Sequence, residues 1–294
     1  NILKPDIIII LGDRYEMLLG PIAAIPKNIP IIHFYGGAVT EGAIDELVRH
    51  AITKMSHIHF VALEQYKKRL LQLGEEKWRV KNIGVHELNK IKHMKIMPKK
   101  IISKNLNFDF STPYCLFTFH PVTIELEDLE YQLKNVILAI KKSRLNAVIT
   151  YPNADPQHER IIKIIKKKFD DKKKYLLIKN CGEEKYMGIL KHSEFIIGNS
   201  SSGIVEAATL KKASINIGTR QDGKFKPSNV ISVNYSINNI IKAIKKALNS
   251  NFKKKVEYIN NPYESKISIN KVINYIINLK IDDKLLRKRF INIK

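Results

Sequence analysis

Short apolar runs alternate along the chain with longer amphipathic stretches, and this alternation sets the fold class before any single residue does. In the first half, residues 6–11, 29–34, 57–61 and 79–83 read as buried strands, and 16–24, 45–55 and 64–73 between them carry a helical period. Residues 90–112 are basic, rich in Asn and Lys and interrupted by Pro98, so they read as a connection, with a domain boundary near Ser111. The pattern then resumes. Strands are expected at 114–119, 147–150, 175–179, 194–197 and 213–217, helices at 126–142, 157–168, 183–191 and 203–210, and later helices at 237–248 and 267–279. Strand–helix alternation of this kind builds parallel sheets, so the expected class is α/β. Ligands of such sheets bind outside the carboxyl ends of the strands, and two domains facing one another form a cleft.

Composition narrows the class. A chain of 294 residues with 44% hydrophobic content supports two modest cores. Cys115 and Cys181 offer neither a disulfide framework nor a C-x-x-C pair, which fits a reducing compartment and points to the cytoplasm. The apolar run at 7–11 is too short for a membrane span or a signal core, so no membrane partner is expected. The formal charge of +23 raises the question of a nucleic-acid partner. Its lysines fall in clusters at 166–168, 172–174 and 253–255, without interleaved aromatics or an arginine stripe. A solvated basic surface with some attraction for anionic ligands is expected, and no nucleic acid. The chain opens on Asn1 and enters its first strand almost at once, which reads as an N-terminally incomplete chain.

Polar residues collect where the strands end. After the strand at 194–197 comes Gly198-Asn199-Ser200-Ser201-Ser202-Gly203, then a helix. Hydroxyls and free N–H groups at a helix start can hold a phosphate, although ordinary N-capping accounts for the serines equally well. Neither the P-loop nor the dinucleotide spacing is present. Glu206 lies within reach of ribose hydroxyls, Arg220 sits in a loop where a guanidinium can meet phosphate, and Asn153 and Asp155 follow another strand. In the first half, Asp13 follows the first strand and Asp45 opens a helix, where carboxylates can exchange protons with a sugar. Simple capping of a helix by Asp13, and pairing of Asp45 with Arg49, are the plainer readings. His120 ends a strand and can act as acid or base, or donate to a leaving phosphate; a strand-exit turn at Pro121 is the alternative. His33, His50, His57 and His59 show no metal-ligand spacing and read as core or surface residues.

The segments "LGDRYEM", "GGAVTEGAIDELVRHAITKMSHIHF", "FHPVT", "YPNAD", "GNSSSGIVEA" and "NIGTRQDGK", in this order, resemble the hydrolysing UDP-N-acetylglucosamine 2-epimerases, including those of bacterial sialic-acid and legionaminic-acid pathways. The resemblance covers nearly the whole chain. It implies a GT-B-like fold: two Rossmann-like domains with parallel sheets facing a cleft, the first truncated. The expected division is a partial N-terminal domain with linker at 1–110, a nucleotide-binding domain at 111–280, and a segment at 281–294 whose helix, near 284–293, returns to the first domain. The implied activity cleaves a UDP-linked 2-acetamido sugar through a 2-acetamidoglucal intermediate, releasing UDP and the C2-inverted sugar, with no metal or redox cofactor. By position, Asp13 and Asp45 become acid/base groups and His120 assists the leaving group, while Arg14, Asn153, Ser200, Ser201, Glu206 and Arg220 hold the nucleotide. A homo-oligomer is implied, and activity is expected to need the missing leading strands. Two differences stand out. Tyr35 and Ala38 occupy acidic positions of the family's His-Ile-Glu-Gly-Gly-Glu, and "GVHEL" at 84–88 replaces Gly-Ser-Pro-Gly-Leu. A GT-B glycosyltransferase and a non-catalytic nucleotide-binding remnant are the alternative functions.

Overall fold

The computed structural model describes residues 4–41, 43–122 and 128–292. Its strands are β1 (Ile8–Leu11), β2 (Ile31–Phe34), β3 (Ile58–Val61), β4 (Val80–Asn82), β5 (Tyr114–Thr118), β6 (Asn146–Thr150), β7 (Tyr175–Ile178), β8 (Phe195–Gly198), β9 (Ala213–Ile217) and β10 (Val230–Val233). The helices are α1 (Leu19–Ala24), α2 (Asp45–Met55), α3 (Glu64–Gln72), α4 (Glu87–His93), α5 (Lys99–Leu106), α6 (Leu129–Lys142), α7 (His158–Lys168), α8 (Glu183–His192), α9 (Glu206–Thr209), α10 (Ile237–Leu248), α11 (Ser250–Glu257), α12 (Ile269–Ile277) and α13 (Asp283–Leu286). Two parallel sheets result, one in the order β1-β2-β3-β4 and the other β10-β9-β8-β5-β6-β7. The α/β class with two parallel sheets is as expected. No helix among the described residues is long and apolar enough to cross a membrane.

The first unit comprises Asn1–Thr40, Ile44–Asn89 and Pro262–Lys294. Its inner strands β2 and β3 are buried on both faces, as parallel strands require, while the edge strand β1 leaves Ile9 and Leu11 exposed. Ile32, Ile58, Phe60 and Ile83 pack with Val272 of α12 and Leu285 of α13, while Ile10, Ala24, Ile31 and Ile52 form a second layer. The C-terminal segment is held by charge as well as by packing. Arg79, fully buried, donates to the carbonyls of His57, Lys284 and Leu285. Lys288 pairs with the buried Glu75 at 2.7 Å. The helix expected at 284–293 is therefore only one turn, α13, and Ile293 lies outside the described residues. Beyond it the chain runs along the end of α3, where the Ile291 amide donates to the Gly74 carbonyl.

The second unit comprises Glu41–Ala43 and Lys90–Asn261. The division thus falls after Asn89 and at Pro262, where the sequence suggested 110 and 281. The reason is local: residues 90–112 are not a linker. Within them α5 buries Ile102 completely, and the Met97 carbonyl meets His192 Nε2 of α8 at 3.0 Å. The sheet is covered by a large apolar cluster including Phe117, Leu133, Val136, Ile149, Ile197 and Ile244. The helix expected at 203–210 is broken into a 3-10 turn at Ser201–Gly203 and the short α9. Of the helix expected at 126–142, Leu126 lies outside the described residues and α6 starts at Leu129.

Three histidines are built into the first unit as hydrogen-bonding groups. His33 is fully buried between the Gly12 carbonyl and Thr53 Oγ1, His59 meets Glu75 at 3.0 Å, and His57 Nδ1 accepts the Ile31 amide. Burial, joined by nearby cations for His57, pushes His33 and His57 each down from 6.5 to about 4, and burial also lowers His59. The unfolded chain then binds more protons than the folded one between pH 6.5 and about 4, so stability falls as pH falls through that window. For the fully buried His33 alone the loss approaches about 3 kcal/mol. Urea midpoints measured from pH 7 to pH 4 should drop steadily below pH 6.5. A midpoint that stays level down to pH 4.5 would contradict this account.

Candidate active site

In the second unit, four adjacent strand exits are joined through two buried residues, Asn199 and His120. Asn199, with no exposed surface, accepts the His120 amide at Oδ1 over 2.7 Å and donates from Nδ2 to the His120 carbonyl over 2.8 Å. The exit of β8 is thereby fastened to that of β5. The Asn199 carbonyl in turn accepts Nη1 of Arg220 at 3.3 Å and Nε2 of Gln221 at 2.9 Å, which adds the exit of β9. The exit of β6 joins through the Asn153 amide, which donates to His120 Nδ1 at 3.1 Å. Gly198 makes this approach feasible. Its φ is +133°, and a Cβ there would sit 1.8 Å from the Thr118 carbonyl oxygen, so no other residue fits.

These contacts decide the state of His120. Burial, with the Arg220 charge added, lowers its pKa from 6.5 to about 3, so the ring is neutral at neutral pH. An amide can only donate, so Nδ1 is the acceptor and the ring proton resides on Nε2. His120 is a fixed hydrogen-bond donor, and of the roles open from sequence the general base near neutral pH is removed. Arg220 is 7% exposed and lies 3.8 Å from Asp155. Ser200 Oγ caps the 3-10 turn by accepting the Ser202 amide, and Ser201 is exposed beside it. With the helix broken, little macrodipole is directed at this turn, and the polar groups present are hydroxyls and the Arg220 guanidinium. Glu206 opens α9, close enough to Tyr186 for its charge to reinforce the upward shift that burial gives that phenol.

A hollow of about 280 Å³ adjoins this cluster at the exits of β6 and β7, lined by Thr150, Ile178, Asn180, Cys181, Glu183 and Tyr186. Tyr186 donates to Ser202 Oγ over 3.0 Å, tying the hollow to the serine turn. Sequence reading overlooked these residues, because "KNCGEE" has the composition of an ordinary helix start.

In the first unit the organising residue is Arg49, also missed as a site residue. It is 1% exposed and donates from Nε and Nη2 to Asp13 Oδ2 at 2.9 and 2.6 Å. Its Nη1 reaches Glu46 Oε2 at 2.5 Å and the Ala38 carbonyl at 2.9 Å, and Nη2 also reaches Thr40 Oγ1. Asp13 and the N-terminal turn of α2, where Asp45 is the first residue, are thus held together at the carboxyl edge of the sheet. Burial alone would raise Glu46, but His50, the Thr40 amide and Arg49 hold it down at about 2. Arg14, next to Asp13, pairs with Glu16 at 3.1 Å.

The two sequence differences meet in this unit. The Tyr35 hydroxyl, after β2, donates to Glu87 Oε2, after β4, at 2.5 Å. Tyr35 has φ +67°, a left-handed conformation that costs a bulky residue roughly 1–3 kcal/mol. Gly37 follows at φ +75°, where a Cβ would lie 2.6 Å from the Tyr66 carbonyl oxygen.

Comparison with known proteins places this geometry in a lineage. Campylobacter jejuni GDP/UDP-N,N'-diacetylbacillosamine 2-epimerase (hydrolyzing) is 38% identical over 294 residues, covering 99% of this chain and 76% of that protein. The Legionella pneumophila UDP-N,N'-diacetylbacillosamine 2-epimerase (hydrolyzing) is 36% identical over 256 residues, covering 87% of this chain and 67% of its own length. Among solved structures, Neisseria meningitidis UDP-GlcNAc 2-epimerase bound to UDP-GlcNAc superposes with a TM-score of 0.78 at 21% identity, covering 94% of this chain and 77% of that one. The S. aureus MnaA-UDP co-structure gives 0.76 at 18%, covering 92% and 74%. At these identities the structures establish the fold, which is the expected GT-B-like class. The family model described as UDP-N-acetylglucosamine 2-epimerase matches residues 1–277, and the chain belongs to that family.

Proposed function

We propose that the protein is a hydrolysing 2-epimerase of a UDP-linked 2-acetamido sugar. It breaks the bond from C1 to the UDP oxygen, inverts C2, and releases UDP with the free sugar. One observation carries this reading: proteins named for hydrolysing 2-epimerisation align with nearly the whole chain at 36–38% identity. Their names favour UDP-N,N'-diacetylbacillosamine as the substrate, with UDP-N-acetylglucosamine as the simpler relative. The product suits sialic-acid or legionaminic-acid synthesis. We place the activity in the cytoplasm, in a homo-oligomer.

The chemistry divides between elimination and water addition. First a proton leaves C2 and the C1–O bond breaks, giving a glycal and UDP; water then adds its hydroxyl to C1 while C2 regains a proton from the opposite face. The second unit takes the nucleotide. Arg220 and the hydroxyls of Ser200 and Ser201 bind the diphosphate, Glu206 accepts from the ribose, and Asn153 completes the contacts of this unit. His120 donates from Nε2 to the departing phosphate oxygen, stabilising charge that grows as the bond breaks. Asp13 and Asp45 exchange protons with the sugar, and Arg49 positions Asp13.

The reading is tested by incubating the protein with each UDP-sugar in deuterated water. The expected result is UDP by phosphorus NMR and a C2-inverted free sugar carrying deuterium at C2. Release of a sugar with retained C2 and no deuterium would overturn it.

Three variants resolve the roles. Arg220→Ala should weaken UDP binding about tenfold or more by calorimetry, since a buried charge-assisted contact is lost; unchanged affinity removes Arg220 from the nucleotide site. His120→Asn should lower kcat by about a hundredfold while UDP affinity changes little. Because His120 of the unliganded protein is held neutral well below neutral pH, the kcat/KM profile of the native protein should show no limb from it between pH 5 and 8. An inflection near 6.5 that His120→Asn abolishes would refute the assignment. Arg49→Lys keeps the charge but not the fork on Asp13, so kcat should fall about tenfold or more, with the urea midpoint measured alongside to separate this loss from loss of folded protein.

A further inference from the structure

We propose that Tyr35 and Glu87 together form a sugar-recognition pair that selects a second acetamido group on the substrate. The proposal rests on the epimerase reading. Tyr35 leaves β2 and Glu87 follows β4, so both stand at the carboxyl edge of the β1–β4 sheet, the edge at which parallel sheets take ligands. The Gly12 amide donates to the Phe34 carbonyl, so Asp13 and Tyr35 are the next residues on neighbouring strand exits. The tyrosine bridges the exits on either side of β3, and its own amide is tied to the Phe60 carbonyl at 2.7 Å.

Its hydroxyl is not a proton-exchange group. Burial first, and the Glu87 hydrogen bond second, raise the phenol pKa, so the proton stays on Tyr35 and the carboxylate receives the hydrogen bond. Glu87 is exposed and gives Oε2 to Tyr35, which leaves Oε1 as an acceptor for a bound molecule. A carboxylate only accepts, so it recognises an N–H or O–H donor. An amide N–H offers one directed donor with a methyl group beyond it, and the half-buried Tyr35 ring supplies an apolar face for that methyl. A donor and a methyl on one short substituent describe an acetamido group. The left-handed backbone at Tyr35 is the cost of aiming this ring and hydroxyl toward the exit of β4.

Glu87→Gln and Tyr35→Phe are tested together against UDP-N,N'-diacetylbacillosamine and UDP-N-acetylglucosamine. In the native protein, kcat/KM should favour the diacetamido substrate. In either variant that preference should fall about tenfold, because a lost or mismatched hydrogen bond at a built polar site discriminates strongly. UDP itself should bind within twofold of native affinity. Equal losses with both substrates would reduce the pair to a structural contact and overturn the proposal. Calorimetric affinities for the two UDP-sugars are measured in parallel. If neither UDP-sugar binds the native protein, the epimerase reading fails and takes this one with it. If both bind and the variants leave their ratio unchanged, only the pair is refuted.

Discussion

One buried amide holds the strand-exit end of the second unit together. Where β5 and β8 end, the ladder no longer supplies partners, and the amide and carbonyl of His120 must be satisfied in a place water does not reach. Asn199 answers both with one side chain, at 2.7 and 2.8 Å. Asp would lack the donor and Leu both groups, and each orphaned backbone group would cost about 1–3 kcal/mol. The same residue's carbonyl anchors Arg220 and Gln221, so a single constraint fixes the positions of the imidazole and the guanidinium. Removing it would misplace both at once.

The first unit solves a related problem with charge. A guanidinium as buried as Arg49 is costly to desolvate, and the cost is offset only because every arm of its fork meets an acceptor: Asp13, Glu46, Thr40 and the Ala38 carbonyl. Breaking one partner of such a cluster leaves an uncompensated charge, so the group tolerates little change. Its value on the proposed reading is orientation: Asp13 cannot rotate while Oδ2 is held by two N–H groups.

The architecture was legible because strand and helix periods differ, and β9, α2 and α10 fall where the apolar pattern put them. Elements were missed where pattern is weak. α5, with Ile101, Ile102 and Leu106 among lysines, looks like a linker until α8 is seen against it, and β10 is an edge strand of four residues. At the site, strand-end logic selected His120, Asn153, Ser200 and Arg220 as neighbours, and bonds through Asn199 and His120 connect all four of their strand exits. It passed over Asn199, Arg49 and Tyr186, because the importance of a buried polar group lies in partners up to 79 residues away. No local spacing encodes such a partner. The link from Tyr35 to Glu87, 52 residues apart, belongs to the same class.

The distribution of charge argues for a division of labour. The chain carries 51 basic and 28 acidic residues, yet the carboxyl edge of the first sheet gathers Asp13, Asp45, Glu46 and Glu87. Such a cluster repels a diphosphate, and Arg49 offsets it only in part because Asp13 and Glu46 already claim that cation. On the proposed reading it serves the neutral sugar, whose hydroxyl and amide N–H groups are donors and whose C2 gives up and regains a proton. The strand exits of the second unit carry a different set: Arg220 with the hydroxyls of the serine turn and a neutral imidazole whose Nε2 donates, beside the carboxylates of Asp155 and Glu206. On the proposed reading, stabilising the departing phosphate falls to Arg220 and His120, and proton transfer to the carboxylates Asp13 and Asp45.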